Sequence, residues 1–403
     1  MKIISVVGAR PNFMKIAPFV GAVNEHNRLH PNQHIQHLLV HTGQHYDLRM
    51  SESFFTDLRI PPPDINLEIG SGTHAEQVGN TMIAFEKVLL QERPDWVVVV
   101  GDVNATLACS VTAKKLLVKV CHIEAGLRSG DMSMPEEINR LVTDRISDLL
   151  LTPDRLSSEN LLKEGVAPEK IRFVGNIMID TLEANRLAAL ALDPATILRN
   201  NILPDSQLPD RFPERYALIT MHRPATVDRE EVLAGIIRFL TMEVAPIMSL
   251  LWPVHPRTLK MLHQFGLWNE LVSCQGIALM HPLRYQEMVR LNMNASIMLT
   301  DSGGLQEECC VLGTPCLTLR RNTERPITLR EHGGAGELVG NNIEQIRDAF
   351  SRAISNGRVP QRPELWDGHA AVRCVEALFE NQEPRTKNQE PRTKNQESRH
   401  KKS

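Results

Sequence analysis

Aromatic residues make up only 4% of the 403-residue chain, which leaves little for a stacking platform on nucleic acid. Charge of one sign is equally sparse, with a formal net charge of −3. It is unevenly placed: residues 381–403 carry 7 Lys+Arg against 3 Glu, so the remainder is at −7. A mildly acidic body is not a polyanion-binding surface, and no nucleic-acid partner is expected. No apolar run approaches a membrane span, and Met1–Gly8 is too short for a signal peptide, so no membrane partner is expected. The seven cysteines (Cys109, Cys121, Cys274, Cys309, Cys310, Cys316 and Cys374) form no CxxC pair. That argues against a zinc site, so no metal is expected. Most lie in apolar runs, as small core residues do, and a reducing cytoplasm is the expected compartment.

What the chain does contain is alternation. Short β-branched runs (Ile3–Val7, Ile35–His41, Trp96–Val100, Lys119–Ile123, Asp148–Leu151, Ile171–Val174) alternate with helix-like segments such as Met14–Asn27, His74–Gln91 and Ala105–Lys115. A second series follows: Tyr216–Met221, Leu250–Val254, Gly276–Met280, Ser296–Thr300 and Pro315–Leu319, with helices expected over Glu230–Thr241, Leu283–Leu291 and Gly304–Leu312. Strands apolar on both faces between helices predict parallel sheets covered on both sides. Two series predict an α/β fold of two doubly wound, Rossmann-like domains facing a cleft. The break is expected between Gly175 and Pro213, where Asn176, Asp193-Pro194, Pro204-Asp205 and Pro209–Pro213 read as turn and linker signals. The segment Asn381–Lys387 recurs unchanged as Asn388–Lys394, then in degraded form from Asn395. It has no apolar residue, and disorder is expected over 381–403.

In open parallel sheets, ligands bind outside the carboxyl ends of the strands. The densest such place is His122–Arg140, where Glu124, Asp131, Glu136, Glu137, Arg128 and Arg140 follow an apolar strand. Glu136 and Glu137 follow Pro135, in the first turn of a helix, where carboxylates also complement the macrodipole. Arg140 is four residues after Glu136, a pairing distance on one helix face. Asp102 ends the run Val97–Val100 just before a helix, and serves either as its N-cap or as a site acid. At the first strand-to-helix turn, Gly8–Lys15, Arg10 and Lys15 stand near a helix N-terminus suited to an anion. In the second series, His222 ends the first strand and His255 the next, each a candidate phosphate donor or general acid. Asp301–Glu308 is a strand end followed by a small-residue turn and a helix. There Ser302, Gly303 and Gly304 let backbone N–H groups approach a phosphate, and Glu308 one turn on suits ribose hydroxyls. The segment is neither a Walker loop nor GxGxxG.

Taken in order, these motifs resemble a known family. Gly8-Ala9-Arg10-Pro11-Asn12-Phe13-Met14-Lys15, His41-Thr42-Gly43-Gln44-His45-Tyr46, Gly101-Asp102, His122–Arg128, Met134–Arg140, Val174-Gly175-Asn176, His222-Arg223-Pro224, Asp301–Glu308 and Thr323-Glu324-Arg325-Pro326 together resemble UDP-N-acetylglucosamine 2-epimerase, from about Met1 to Phe379. The resemblance implies a GT-B-like fold, interconversion of UDP-GlcNAc and UDP-ManNAc by elimination and re-addition of UDP, no cofactor, and UDP, UDP-GlcNAc and UDP-ManNAc as ligands. It implies Asp102, Glu124 and Glu136 as acid/base carboxylates and His222 at the leaving diphosphate. Arg10, Lys15 and Arg140 would supply positive charge, with Ser302, Gly303 and Gly304 on phosphate, Glu308 on ribose and His255 beside the substrate. Domains are expected at 1–176, at 177–360 for UDP, and at 361–380 as a helix packing back on the first, in a homodimer. Two departures stand out: Glu331–Gly340 replaces the family's Gly-Thr-Asn or Gly-Thr-Val element, and Tyr46-Asp47 follows Gln44-His45. Asn12–Lys15 matches the hydrolysing branch only in part, which favours the non-hydrolysing one. The rival readings are the hydrolysing reaction, a GT-B glycosyltransferase and a UDP-sugar sensor.

Overall fold

The chain forms the α/β architecture expected, two parallel sheets with helices between the strands. The structure, a computed structural model, describes residues 1–43 and 60–381, with the side chains of Arg10 and Pro11 outside the description. Gln44, His45 and the repeat beyond residue 381 therefore lie outside the described residues.

The first sheet is built of β1 (Lys2–Val7), β2 (Gln36–His41), β3 (Ile65–Asn66), β4 (Trp96–Val100), β5 (Lys119–Ile123), β6 (Leu149–Thr152) and β7 (Ile171–Phe173). Its order is β3-β2-β1-β4-β5-β6-β7, and every pairing is parallel. Every residue of β4 is buried, which is why Trp96 and four valines stand there in an unbroken run. The order reverses between β1 and β4, so the crevice at this sheet's carboxyl edge opens between the loops following those two strands.

The second sheet repeats the device. It comprises β8 (Tyr216–Thr220), β9 (Ser249–Pro253), β10 (Ile277–Met280), β11 (Ile297–Thr300), β12 (Cys316–Thr318) and β13 (Gly336–Leu338), ordered β10-β9-β8-β11-β12-β13. Here the reversal lies between β8 and β11, the strands that lead to His222 and to Asp301-Ser302.

The expected linker between Gly175 and Pro213 is largely helical, with helices Ile177–Leu190 and Asn201-terminated Pro194–Asn201. The turn signals there are N-caps: Asn176 accepts from the Met178 N–H, and Asp193 from those of Ala195 and Thr196. The chain later returns to the first sheet. The helix Ala370–Glu380 packs on the helices Arg10–Leu29 and Ile177–Leu190, and Asp180 accepts from the Ala370 and Ala371 N–H groups at 3.1 and 2.7 Å. The Trp366 indole, buried alongside, donates to the Pro153 carbonyl at 3.0 Å. Gly175, at φ +88°, lies so close to the returning segment that a Cβ there would sit 2.1 Å from the Leu365 carbonyl oxygen. No helix among the described residues is long and apolar enough to cross a membrane. All seven cysteines are free.

Candidate active site

Both reversals carry polar side chains facing one cleft. After β1, Asn12 ties the start of the helix Arg10–Leu29 to the neighbouring strand. It accepts from the Ala9 N–H at 3.2 Å and donates to the Val100 carbonyl at 2.6 Å. One turn further on, the buried Lys15 pairs with Glu124. Arg10 is the first residue of the same helix, its side chain outside the described residues.

After β4, Gly101 turns at φ +68°. Asp102 caps nothing: the N-cap of the helix Asn104–Lys115 is Val103. The Asp102 carboxylate accepts from Arg140, and its backbone carbonyl accepts from Asn139 Nδ2 at 2.8 Å. A quarter of its side chain remains exposed to the cleft.

After β5, Glu124 sits at φ +74°, a left-handed conformation that costs a glutamate of order 1 kcal/mol or more. The backbone is held there because the Glu124 and Ala125 N–H groups both donate to the Leu151 carbonyl, at 3.0 and 3.1 Å. Its buried carboxylate takes Lys15 on Oε2 and Arg325 Nη2 on Oε1, the latter at 3.1 Å. Burial pushes the Glu124 carboxyl up, but Lys15 and Arg325 outweigh it and hold the group below its usual value.

Arg140 does not pair with Glu136, as the helix spacing suggested. It binds Asp102 and Glu137 instead. Glu137 faces inward because it also accepts from the N–H groups of Ser129 and Gly130 and from the Ser129 hydroxyl. Tertiary hydrogen bonds worth more than one exposed pair decide the matter. Glu136 is left pointing across the cleft, 3.6 Å from Arg223 Nη1 of the second sheet.

On that opposite side, the fully buried Asp301 accepts from the N–H groups of His222 and Arg223 at 2.9 and 2.8 Å. His222 Nδ1 lies 3.1 Å from Asp301, which leaves Nε2 for the cleft. The His255 ring stands 5.3 Å from that of His222, and its Nδ1 accepts from the Arg257 N–H at 3.1 Å as a helix cap. Ser302 is the N-cap residue of the helix Gly303–Leu312, yet its side chain makes no capping bond. A Cβ on Gly303 would lie 2.6 Å from Glu324 Oε1 and 2.7 Å from Arg325 Nη1, so a larger residue there would displace that ion pair. Glu308 is buried beneath this turn, and burial pushes its carboxyl up to about 8.

Sequence reasoning assigned no role to the residues that join the two halves. Arg325 pairs with Glu124, Glu307 and Glu324 at once; Arg320 pairs with Glu324 at 2.8 Å. Burial and the nearby Glu124 charge raise Glu307 to about 7 despite Arg325. Asn322 Nδ2 donates to Asp131 at 3.1 Å, a further link across the cleft. Thr323–Pro326 was visible as a motif, but Glu124, its partner in the other half, lies 201 residues from Arg325 and no spacing rule reaches it. Beside these pairs the cleft holds a cavity of about 650 Å³, with Asp102, Asp131 and Glu136 on one wall and Arg223, Arg320 and Arg321 on the other. Among the described residues no cluster of three or more His, Cys, Asp or Glu side chains is arranged to hold a metal.

The profile of the family described as UDP-N-acetylglucosamine 2-epimerase matches residues 27–379. The chain belongs to the UDP-N-acetylglucosamine 2-epimerase family. It is 40% identical over 380 residues to the UDP-N-acetylglucosamine 2-epimerase of Methanocaldococcus jannaschii, covering 94% of this chain and 99% of that one. It is 38% identical over 385 residues to the UDP-2,3-diacetamido-2,3-dideoxy-D-glucuronate 2-epimerase of Pseudomonas aeruginosa, again with 94% and 99% covered. The crystal structure of the M. jannaschii UDP-GlcNAc 2-epimerase with UDP-GlcNAc and UDP superposes with a TM-score of 0.82, at 39% identity, covering 94% of this chain and all of that one. The two-sheet, GT-B-like architecture is thus that of the 2-epimerase family.

Proposed function

We propose that this chain interconverts UDP-N-acetylglucosamine and UDP-N-acetylmannosamine as a non-hydrolysing 2-epimerase. The observation that carries the reading is that Asp102 and Glu136 line a cleft whose other wall is cationic, with Glu124 buried close by and tied to Arg325. Inverting C2 of a sugar needs a proton removed on one face and returned on the other, hence more than one acid/base group.

In this reading a carboxylate removes the C2 proton while the C1–O bond to UDP breaks. The C–H electron pair becomes the C1=C2 double bond of 2-acetamidoglucal, and the C1–O pair leaves with UDP. Reprotonation at C2 from the opposite face and return of UDP to C1 complete the epimerisation. Asp102 and Glu136 are the partly exposed carboxylates of the set, open to a ligand, whereas Glu124 acts from within its pairs with Lys15 and Arg325. Lys15, Arg10 and Arg140 offset the developing diphosphate charge, and His222, oriented by Asp301, serves the leaving oxygen. The N–H groups of Ser302, Gly303 and Gly304 at a helix start suit the phosphates, and Glu308 the ribose. His255 borders the substrate from beside His222. No cofactor is required for any step. A cytoplasmic homodimer supplying ManNAc-type sugars for surface polysaccharide synthesis completes the proposal.

Incubation with UDP-GlcNAc in D2O tests it. UDP-ManNAc carrying deuterium at C2 is expected. Release of free ManNAc and UDP would instead mark the hydrolysing reaction, and an unexchanged C2 proton would remove the epimerase reading altogether.

A further inference from the structure

Asn176 enters the reaction proposed above at no step, yet a chain of buried contacts runs from it to Glu124. It is fully buried at the point where the chain leaves the first sheet. Its Oδ1 accepts from the Met178 N–H at 2.9 Å and so caps the helix Ile177–Leu190. That bond orients the amide: Nδ2 faces Glu307 and donates to its Oε1 at 2.8 Å. Glu307 Oε1 also lies 2.8 Å from Arg325 Nε, and Arg325 Nη2 is 3.1 Å from Glu124 Oε1.

Each link has few other supports. Glu307 Oε2 is buried and has no hydrogen-bond partner among the described residues, so Asn176 and Arg325 together hold the carboxylate through its other oxygen. The Arg325 guanidinium is a rigid, planar fork. With Nη1 on Glu324 and Nε on Glu307, both in the second half, the direction of Nη2 is set, and Nη2 is the nitrogen that meets Glu124. Glu124 takes Lys15 on its remaining oxygen.

Capping does not account for the amide at residue 176. Serine and aspartate cap helices about as well as asparagine does, but neither carries an acceptor and an N–H donor on separate atoms. Here the donor is spent on Glu307. Glu307 stands on the helix Gly303–Leu312, one turn after the phosphate turn, so this contact joins that turn, Arg325 and Glu124 in one frame.

We propose that Asn176 is a positioning residue for Glu124: by holding Glu307 it sets the Arg325 guanidinium that fixes the Glu124 carboxylate for proton transfer at C2. The inference rests on the reaction proposed above.

The test measures epimerisation and C2 deuterium incorporation in full-length variants. Asn176→Asp keeps the shape and the cap but turns an acceptor towards Glu307. Its kcat should fall at least about tenfold, with KM and the UDP affinity from calorimetry changing less than about threefold. Adding Glu307→Gln to that variant supplies a donor from the opposite side of the bond, and the double variant should recover most of the lost kcat. Asn176→Ser also caps but ends short of Glu307. It should lose kcat as Asn176→Asp does, and it carries the test if the paired carboxylates prevent folding. Wild-type kcat in either single variant would overturn the inference, as would a double variant no faster than Asn176→Asp, or a loss confined to UDP affinity. A wild type that exchanges no C2 proton would overturn the proposed reaction, and the inference with it.

Discussion

Arg325 reaches Glu124 across the cleft, guanidinium Nη2 to carboxylate Oε1 at 3.1 Å, while its other nitrogens meet Glu307 and Glu324. The pair connects the end of a strand in one sheet to a loop of the other. It therefore couples the protonation of a site carboxylate to how the two halves are set against each other.

The first consequence concerns Glu124 itself. Glu124→Gln keeps the shape, but its single oxygen can accept from only one of Lys15 and Arg325, and it cannot take up a proton as a carboxylate does. UDP binding measured by calorimetry should survive, while C2 deuterium exchange should fall by roughly 10²- to 10⁴-fold. Normal exchange in this variant would take Glu124 out of the mechanism.

Removing the other partner should act on stability. Arg325→Met leaves Glu124, Glu307 and Glu324 buried without their shared cation, and breaking buried pairs of this kind costs about 3–5 kcal/mol. Protonation of Glu307 will offset some of that loss. Urea denaturation should show a drop of at least about 2 kcal/mol; a smaller one would mean that solvent or Lys15 already compensates the carboxylates.

The phosphate turn separates packing from approach. Gly303→Ala places a Cβ against Glu324 and Arg325, at 2.6 and 2.7 Å, and should cost about 1–3 kcal/mol as well as UDP affinity. Gly304→Ala meets only the Met178 methyl at 3.9 Å, so the fold should tolerate it. Weakened UDP binding in Gly304→Ala at unchanged Tm would be the mark of a phosphate seated on that backbone, whereas unchanged binding would move the phosphate elsewhere.

Glu308 gives the apo protein a pH dependence of definite sign. Burial raises its carboxyl to about 8, from 4.5 in an open chain. The folded state therefore holds a proton that the unfolded chain has lost across that interval. Stability contributed by this group is full below about pH 4.5 and declines by about 1.4 kcal/mol per pH unit as pH rises towards 8. Glu307 adds the same sign up to about 7. Denaturation from pH 5 to pH 8 should show a shallower decline in Glu308→Gln than in the wild type; parallel curves would show that Glu308 is ionised in the fold.

The sheets were legible because periodicity is local. Val97–Val100 cannot be other than a doubly covered strand, and strand ends then fall where Asp102, Glu124, His222 and Asp301 stand. The short edge strands β3 and β13 have no apolar run of their own and went unread. Asn176 and Asp193 carry a turn signal in the sequence, and the same side-chain chemistry caps a helix. Glu136 and Arg140 have pairing spacing, but Ser129 and Gly130 draw Glu137 inward and Arg140 follows it. The role of Arg325 depends on partners as far off in sequence as Glu124, and only folding brings them together.

The close approach of Gly175 to Leu365 has a mechanical meaning. The chain passes between its two halves once near residue 175 and again on the return to the last helix, and at this point the two passes touch. Two straps pinned side by side hold each other in place, so the two crossings form one seam. Any substituent larger than hydrogen at residue 175 would drive a wedge into that seam, 2.1 Å from the Leu365 carbonyl oxygen.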